Sequence, residues 1–403
     1  MGNAKLKKGW EVKKLGEVAK ATYGYTEKAS FKEIGPRFLR ITDIQDDGVN
    51  WDTVPFCKIN NAELEKYKLK DGDIVFARTG ATTGKSYLVS NPPKSVFASY
   101  LIKVHIENRE LSPNYLFLFF QTQTYWDTIN AGVSGSAQGG FNATKLSELE
   151  IPIPPLTEQQ RIVTTLDKAF AAIAKARNNA EQNLKNAKEL FESYLQSVFV
   201  DKGKDWENVK LSELANDITD GDHMPPPKTK SGIPFITISN INKQNNQIDF
   251  SDTFTVSKDY FEKIKLNRKP KKGDILYTVT GSYGIPVLIE DNVEFCFQRH
   301  IGLIRPKENI NSKWLFYWIL SPQAVRQAND TATGTAQRTV SLTALRNFDI
   351  PKMSISQQQA IVKKLDALSA ETKKLEAIYQ QKINDLDELK KSILQKAFNG
   401  ELP

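Results

Sequence analysis

Two stretches of the chain repeat apolar side chains three and four residues apart, with no Pro or Gly between them. The first runs through Ile162, Leu166, Phe170, Ile173, Ala180, Leu184, Ala187, Phe191, Tyr194 and Val198, and is interrupted at Arg177. The second runs through Ile361, Leu365, Leu368, Leu375, Ile383, Leu386, Leu389 and Ile393. That spacing lays one apolar stripe along a helix, and a seven-residue repeat of it seats the stripe against another helix. Thr157 with Gln160, and Ser356 with Gln359, fit the capping box that opens a helix. Two helices of about 43 residues, each about 65 Å long, are predicted.

Ahead of each helix the period changes. Short β-rich runs such as "PRFLRITDI", "GDIVFAR" and "YLIKVHI" alternate with Gly, Pro, Asn and Asp. "PNYLFLFFQTQTYWDTI" reads as helix. The mixture predicts an α+β globular domain.

The whole plan occurs twice. "WEVKKLGEVA" at Trp10 recurs as "WENVKLSELA" at Trp206, and "GPRFLRITDI" at Gly35 as "GIPFITISNI" at Gly232. "DGDIVFARTGATTG" recurs as "KGDILYTVTGSYG", and "IPIPPLTEQQRIVTTLD" as "IPKMSISQQQAIVKKLD". From Gly135 onward the offset is a constant 199. Four segments follow: globular domains at 1–155 and 201–355, and helices at 156–200 and 356–403. The helices match in length within one chain, so they are expected to pair antiparallel with each other. The two domains would then be related by a pseudo-two-fold axis.

The repeat also decides "RTGATTGKS", Arg78 to Ser86, which resembles a phosphate-binding loop. That loop needs a glycine where Thr79 stands, and the second copy, "TGSYGIPV", has no Lys-Ser. What the copies share is a glycine-bounded turn at a strand end. "NPPK" at Asn91 lacks the aromatic fourth residue of an adenine-methyltransferase motif. His105, His223 and His300 do not match between copies, and neither do Cys57 and Cys296. No catalytic centre, metal site or cofactor is expected in this chain, and the cysteines are expected to be half-buried fillers.

Composition adds little. Two cysteines cannot build a disulfide framework, so a cytoplasmic, reducing compartment is expected. No apolar run reaches 18 residues, and the basic start lacks the apolar core of a secretory signal. The net charge is +8, and residues 1–155 and 201–355 each carry a net +3. The excess favours a polyanion met by folded surfaces rather than by a basic tail.

The stretch "GSAQGGFNATKLSELEIPIPPLTEQQRIV" resembles the specificity subunit of type I restriction–modification systems. "GTAQRTVSLTALRNFDIPKMSISQQQAIV" repeats it with "KMS" for "PPL" and Gln357 for the Glu. The resemblance covers essentially the whole chain. It implies two target recognition domains reading a bipartite asymmetric site on double-stranded DNA, with the helices as spacers. It also implies bacterial or archaeal partners: two modification subunits that methylate adenine at N6 with S-adenosylmethionine, and restriction subunits that use ATP and Mg²⁺. The competing reading is a non-catalytic coiled-coil adapter that bridges proteins without touching DNA.

Base edges are read by polar and basic side chains in a groove, and phosphates by basic ones. Such residues beside the shared turns are the candidates. In the first domain they are Tyr23, Tyr25, Lys28, Arg40, Thr42, Asp43, Arg78, Thr79, Thr82, Thr83, Lys85, Ser136 and Gln138. In the second they are Asp220, His223, Lys228, Lys230, Thr237, Ser239, Asn240, Thr280, Ser282, Tyr283, Arg299, Thr335, Gln337 and Arg338. Arg78, Lys85, Tyr283 and Arg299 differ between copies, which favours them for base reading. The shared "SAQ" and "TAQ" are expected to touch backbone or shape a loop.

Overall fold

The computed structural model describes residues 7–45, 48–134, 140–200, 206–224, 226–335 and 337–402. The chain divides into two compact units, one of Met1–Ala180 with Gln381–Pro403 and the other of Glu181–Gln380. Both divisions fall inside the long helices.

The first unit begins with β1 (Glu11–Lys14), which pairs antiparallel with β8 (Glu150–Ile153). Between them lie β2 (Ala19–Tyr23), β3 (Arg37–Leu39), α1 (Asn61–Tyr67), β4 (Ile74–Ala77), β5 (Ser86–Leu88), β6 (Ser95–Phe97) and β7 (Leu101–Ile106). The main sheet is antiparallel in the order β2-β7-β4-β5, while β3 and β6 form a separate parallel pair. The stretch predicted as one helix is two, α2 (Pro113–Phe119) and α3 (Gln123–Ser134). Thr122 makes the break: its hydroxyl accepts from the Tyr125 N–H at 3.2 Å and so offers the backbone a cap.

The long helix α4 (Leu156–Val200) then leaves this unit. The second unit repeats the order with β9 (Glu207–Lys210), β10 (Ala215–Asp220), β11 (Ile233–Ile236), β12 (Phe254–Val256), α5 (Lys258–Lys263), β13 (Ile275–Thr278), β14 (Pro286–Leu288), β15 (Cys296–Phe297) and β16 (Ile301–Pro306). Helices α6 (Ser312–Leu320) and α7 (Pro322–Thr331), strand β17 (Asp349–Lys352) and helix α8 (Ile355–Phe398) follow. Its main sheet has the matching order β10-β16-β13-β14, and β9 pairs with β17. One strand is added: β12 joins β11 and β15 in a three-stranded sheet.

Each unit draws its core from both long helices. In the first, Ile162 and Leu166 of α4 join Leu394, Ala397 and Phe398 of α8 around Tyr115 and Phe119. In the second, Leu195 and Phe199 of α4 meet Leu365 of α8 around Trp314 and Trp318. The predicted antiparallel pairing is present. In the first unit Phe170 takes the Lys390 ammonium on its ring, and a turn or two later Arg177 pairs with Asp387, so one helix ascends as the other descends. Two details of the predicted seam differ. Leu375 and Leu389 are exposed, and buried Leu195, Phe199 and Leu394 were not in the stripe. A helix of 3.6 residues per turn drifts against a 3.5-residue seam, which carries the buried edge to the adjacent residue near each end.

The helix starts also differ. Helix α8 is capped at Ser354, not Ser356: Gln357 N–H donates to Ser354 Oγ at 3.3 Å, and Ser354 N–H donates to Gln357 Oε1 at 2.9 Å. Helix α4 starts after Pro155, whose carbonyl accepts from Glu158 at 2.8 Å, so Thr157 lies within the first turn. The strand just before each helix ends only two residues short of it, which forces the earlier start. The middle residue of "EQQ" and of "QQQ" has another role. Gln159 is buried, accepts from Ser112 N–H at 2.8 Å and donates to Glu110 and Pro154 carbonyls at 2.7 and 2.8 Å. Gln358 accepts from Asn311 N–H at 2.8 Å and donates to the Met353 carbonyl at 3.0 Å. Each amide pins its helix start to the loop before α2 or α6.

Cys57 and Cys296 are fully rather than half buried. Burial raises the thiol of Cys57 to about 11 and that of Cys296 to about 12. Both thiols are expected to resist an aromatic disulfide reagent at pH 8, reacting at least about 100-fold more slowly than in the urea-unfolded chain. Rapid native-state labelling of either would contradict the burial.

Candidate nucleic-acid interface

A single short turn organises the candidate residues of each unit. In the first unit it is Ala98-Ser99-Tyr100, between β6 and β7. Three strand ends are hydrogen-bonded to it. Tyr25, just past β2, donates its N–H to Phe97 and accepts from Ser99 N–H. Ala98 N–H donates to the Leu39 carbonyl at the end of β3, and Arg78 N–H, at the end of β4, donates to the Tyr100 carbonyl. The second unit builds the same hub from Gln298-Arg299-His300. Asp222 donates to Phe297 and accepts from Arg299, Gln298 donates to Ile236, and Val279 donates to the His300 carbonyl. Close approach explains one glycine in each copy: a Cβ on Gly24 would sit 2.2 Å from the Ala98 carbonyl oxygen, and one on Gly221 would sit 2.0 Å from that of Phe297.

The side chains on this common backbone differ. In the first unit the Arg78 guanidinium lies 5.1 Å from the centre of the Tyr23 ring and donates to the Ser99 carbonyl at 2.9 Å. The Tyr23 hydroxyl accepts from Ala143 N–H at 3.0 Å. Arg40 grips Asp43 through two hydrogen bonds of 3.0 and 2.7 Å, which raises the guanidinium pKa. Tyr25 packs on Tyr67 with ring centres 5.3 Å apart. Tyr25, Arg40 and Thr42 line an open cavity of about 490 Å³ together with Thr26, Ser99 and Tyr100. Tyr100, 61% exposed, was not among the candidates.

In the second unit Asp220 bridges His223 at 2.8 Å and Arg268 at 2.9 Å. Thr237 and Asn240 repeat the Arg40–Asp43 turn, with Thr237 N–H donating to Asn240 Oδ1 at 2.9 Å. Asn240 is buried and donates to the Asp252 carbonyl, whereas Ser239 is exposed and shares a hydrogen bond with Thr237. Lys228 lies over Phe254 at 4.7 Å, and Lys230 is exposed. Arg299 is exposed at the hub, and burial, followed by the Arg299 charge, lowers the pKa of His300 beside it.

The glycine-bounded turns meet the "AQ" loops. The Thr280 backbone pairs with Thr339, and Gly281 N–H donates to the Arg338 carbonyl at 3.0 Å. Ser282 is exposed. Tyr283 donates its hydroxyl to Asn329 at 2.9 Å, and Arg338 lies 5.8 Å from its ring centre. Thr335 and Gln337 are exposed at the loop tip, where Gly334 holds a φ of +102°. In the first unit Thr79 pairs likewise with Gly140, while Ser136 and Gln138 lie outside the described residues. Thr82, Thr83 and Lys85 form a turn between two strands: Thr83 and its hydroxyl bond the Gly80 carbonyl, and Lys85 N–H bonds that of Thr82. Ser86 opens strand β5, so "TGATTGKS" lacks the helix N-terminus on which a phosphate cradle depends. Lys28 is exposed on the connection from β2 to β3.

Arg78 and Tyr283, favoured as base readers, are thus engaged within their own units, while Arg299 is exposed. Ser99, Tyr100 and His300 stand at the same turns and were not among the candidates. The signal was available: "ASYL" and "QRHI" precede the same strand and share no residue. Among the described residues no cluster of His, Cys, Asp or Glu is arranged to hold a metal ion, and no helix is long and apolar enough to cross a membrane.

Residues 7–182 and again 203–385 match the family described as type I restriction modification DNA specificity domain. The chain is 26% identical to the type I restriction enzyme EcoBI specificity subunit of Escherichia coli over 323 residues, 74% of this chain and 68% of that one. It is 23% identical to the MjaVIII specificity subunit of Methanocaldococcus jannaschii over 100% of this chain and 95% of that one. In fold it is similar to a chain from a solved type I R-M system, with a TM-score of 0.79 at 21% identity, covering 99% of this chain and 100% of that one. It is also similar to the HsdS subunit of Thermoanaerobacter tengcongensis, with a TM-score of 0.64 at 21% identity, covering 100% and 99%.

Proposed function

The chain belongs to the type I restriction–modification DNA specificity family, carrying the family's domain twice, and from that premise we propose that each unit reads one half of a bipartite asymmetric target on duplex DNA. The hub carries this reading. One backbone scaffold presents Ala98-Ser99-Tyr100 in the first copy and Gln298-Arg299-His300 in the second, as two readers of different sequences would require. A scaffold that fixes strand ends and varies the exposed side chains separates positioning from specification. Exposed Tyr100 and Arg299 are the leading base-reading side chains, while Arg78, Arg40 and Tyr283 hold the loops.

The long helices act as the spacer between the half-sites and as the docking surface for two modification subunits. Exposed Leu190, Leu375, Ile378 and Leu389 supply apolar side chains for such partners to cover. Methyl transfer to adenine N6 with S-adenosylmethionine, and ATP- and Mg²⁺-dependent cleavage by restriction subunits, belong to those partners, and this chain is non-catalytic. The site of action is the cytoplasm of the host cell.

Modularity tests the reading. Exchanging residues 20–150 for those of a relative is expected to change one half of the methylated motif, read by single-molecule sequencing of N6-methyladenine, and leave the other half intact. A motif altered in both halves would refute independent readers. Absence of any sequence preference in the assembled complex would favour the adapter.

A further inference from the structure

The two units differ in charge at the connection from the short helix to the central strand. In the first unit residues 61–71 hold three basic and three acidic side chains. In the second, residues 258–272 hold seven basic and two acidic ones. The flanks correspond. Asn60 and Ser257 cap α1 and α5, and the N–H groups of Lys70 and Lys271 donate to the equivalent buried carboxylates, Asp73 and Asp274. The first pair lies 197 residues apart and the second 201, so the second unit has four extra residues here.

The extra residues form a built structure. Leu266–Arg268 is one turn of 3-10 helix. It is fastened to the edge strand β10: the Thr219 hydroxyl donates to the Asn267 carbonyl at 3.4 Å, Asn267 donates to Asp217 at 3.4 Å, and Arg268 reaches Asp220 at 2.9 Å. Asp220 also holds His223 and precedes Gly221 at the hub. The insert therefore continues the candidate interface of its own unit. Its outer face is unlike that of a solvated loop. Leu266 is 82% exposed at the apex, whereas the first unit's Leu69 is buried. Lys263, Lys265, Lys271 and Lys272 surround the turn, all exposed, and among the described residues none pairs with a carboxylate.

We propose that this insert is a backbone clamp, in which the four lysines grip phosphates flanking the half-site read by the second unit. The proposal rests on the duplex-reading function above. It makes the two halves of the target unequal: the second unit contacts a longer tract of backbone and supplies more of the salt-sensitive affinity. The insert is assigned to backbone rather than to bases because four clustered ammonium groups meet phosphates as point charges.

The test uses the full chain assembled with its modification subunits and a duplex bearing its methylated motif. Lys263→Gln, Lys265→Gln, Lys271→Gln and Lys272→Gln are introduced together, and affinity is followed between about 50 and 200 mM salt. Each phosphate contact contributes about 0.9 to the slope of log affinity against log salt, so the variant's slope is expected to be shallower by about 2 to 4. The methylated motif should be unchanged, and hydroxyl-radical protection should retract only beyond the second unit's half-site. A variant slope within about 0.5 of the wild type would overturn the clamp while leaving the reading function in place. Wild-type binding with no sequence preference would instead overturn the reading and the clamp with it. A preserved slope with loss of a modification subunit would assign the patch to a protein partner and refute the clamp.

Discussion

Asp274→Ala is expected to cost the second unit about 3–5 kcal/mol, because it strands a buried guanidinium. Arg305 donates to Asp274 from Nε at 3.0 Å and from Nη2 at 2.7 Å, and Asp274 is almost wholly buried. Arginine cannot discharge itself by losing a proton, so the charge stays when its partner goes. The remaining partners are the Lys269 carbonyl at 2.8 Å and Asp217 at 4.0 Å, the latter too distant to replace a bidentate pair. The first unit provides the control. The equivalent Asp73 meets His105 at 2.6 Å, and the His105 side chain is 42% exposed, so water can take the place of the lost carboxylate. Asp73→Ala should cost about 1–3 kcal/mol, the loss of hydrogen bonds alone. Urea unfolding followed separately for each unit checks both values. Equal losses would mean that the Arg305 charge is solvated despite its burial.

A matched insertion in the two long helices is expected to change the unread gap of the target. One heptad near Ala180 and one near Gln380, where the units divide, would keep the seam in register because each insert is a full repeat. Each helix lengthens by about 10 Å, close to three base pairs at 3.4 Å each. Three base pairs also rotate the far half-site by about 100°, so part of the activity should be lost to misphasing. The surviving activity should prefer a gap two to four base pairs longer, read from the methylated motif. An unchanged gap would mean that the helices dock partners without setting the distance.

Repetition made the architecture readable. The doubled "GSAQ/GTAQ" and "EQQ/QQQ" stretches mark two mixed α/β domains and two long helices in the sequence itself, because each copy is a control for the other. The helix starts were misplaced by two residues because a capping-box pattern occurs twice in "SISQQQ", and only the strand before it selects Ser354 over Ser356. The sequence carried no sign that Gln159 and Gln358 are buried. Their burial depends on the loops before α2 and α6, contacts that no local pattern records. The candidate interface was legible at the level of turns and not of side chains. Arg78 was chosen for differing between copies, but whether an arginine points outward or lies on Tyr23 is decided by a strand 55 residues away. Tyr100 entered the reading only as the first residue of the β-rich run "YLIKVHI" and not as a candidate.

The noncontiguous make-up of the first unit has a consequence for how the protein comes into being. Its last core residues, Leu394, Ala397, Phe398 and Leu402, are separated from the rest by the entire second unit. Phe398 sits 4.9 Å from the Tyr115 ring and 5.5 Å from that of Phe119, filling a place that no earlier residue occupies. During synthesis the ribosome delivers all of residues 181–380 before that place can be filled, so the unit begun first is the one completed last. At a few residues per second the apolar face around Tyr115 and Phe119 waits on the order of tens of seconds for its closing helix. A nascent chain in that state exposes apolar surface, and a chain cut short within α8 would lose part of the first unit's core.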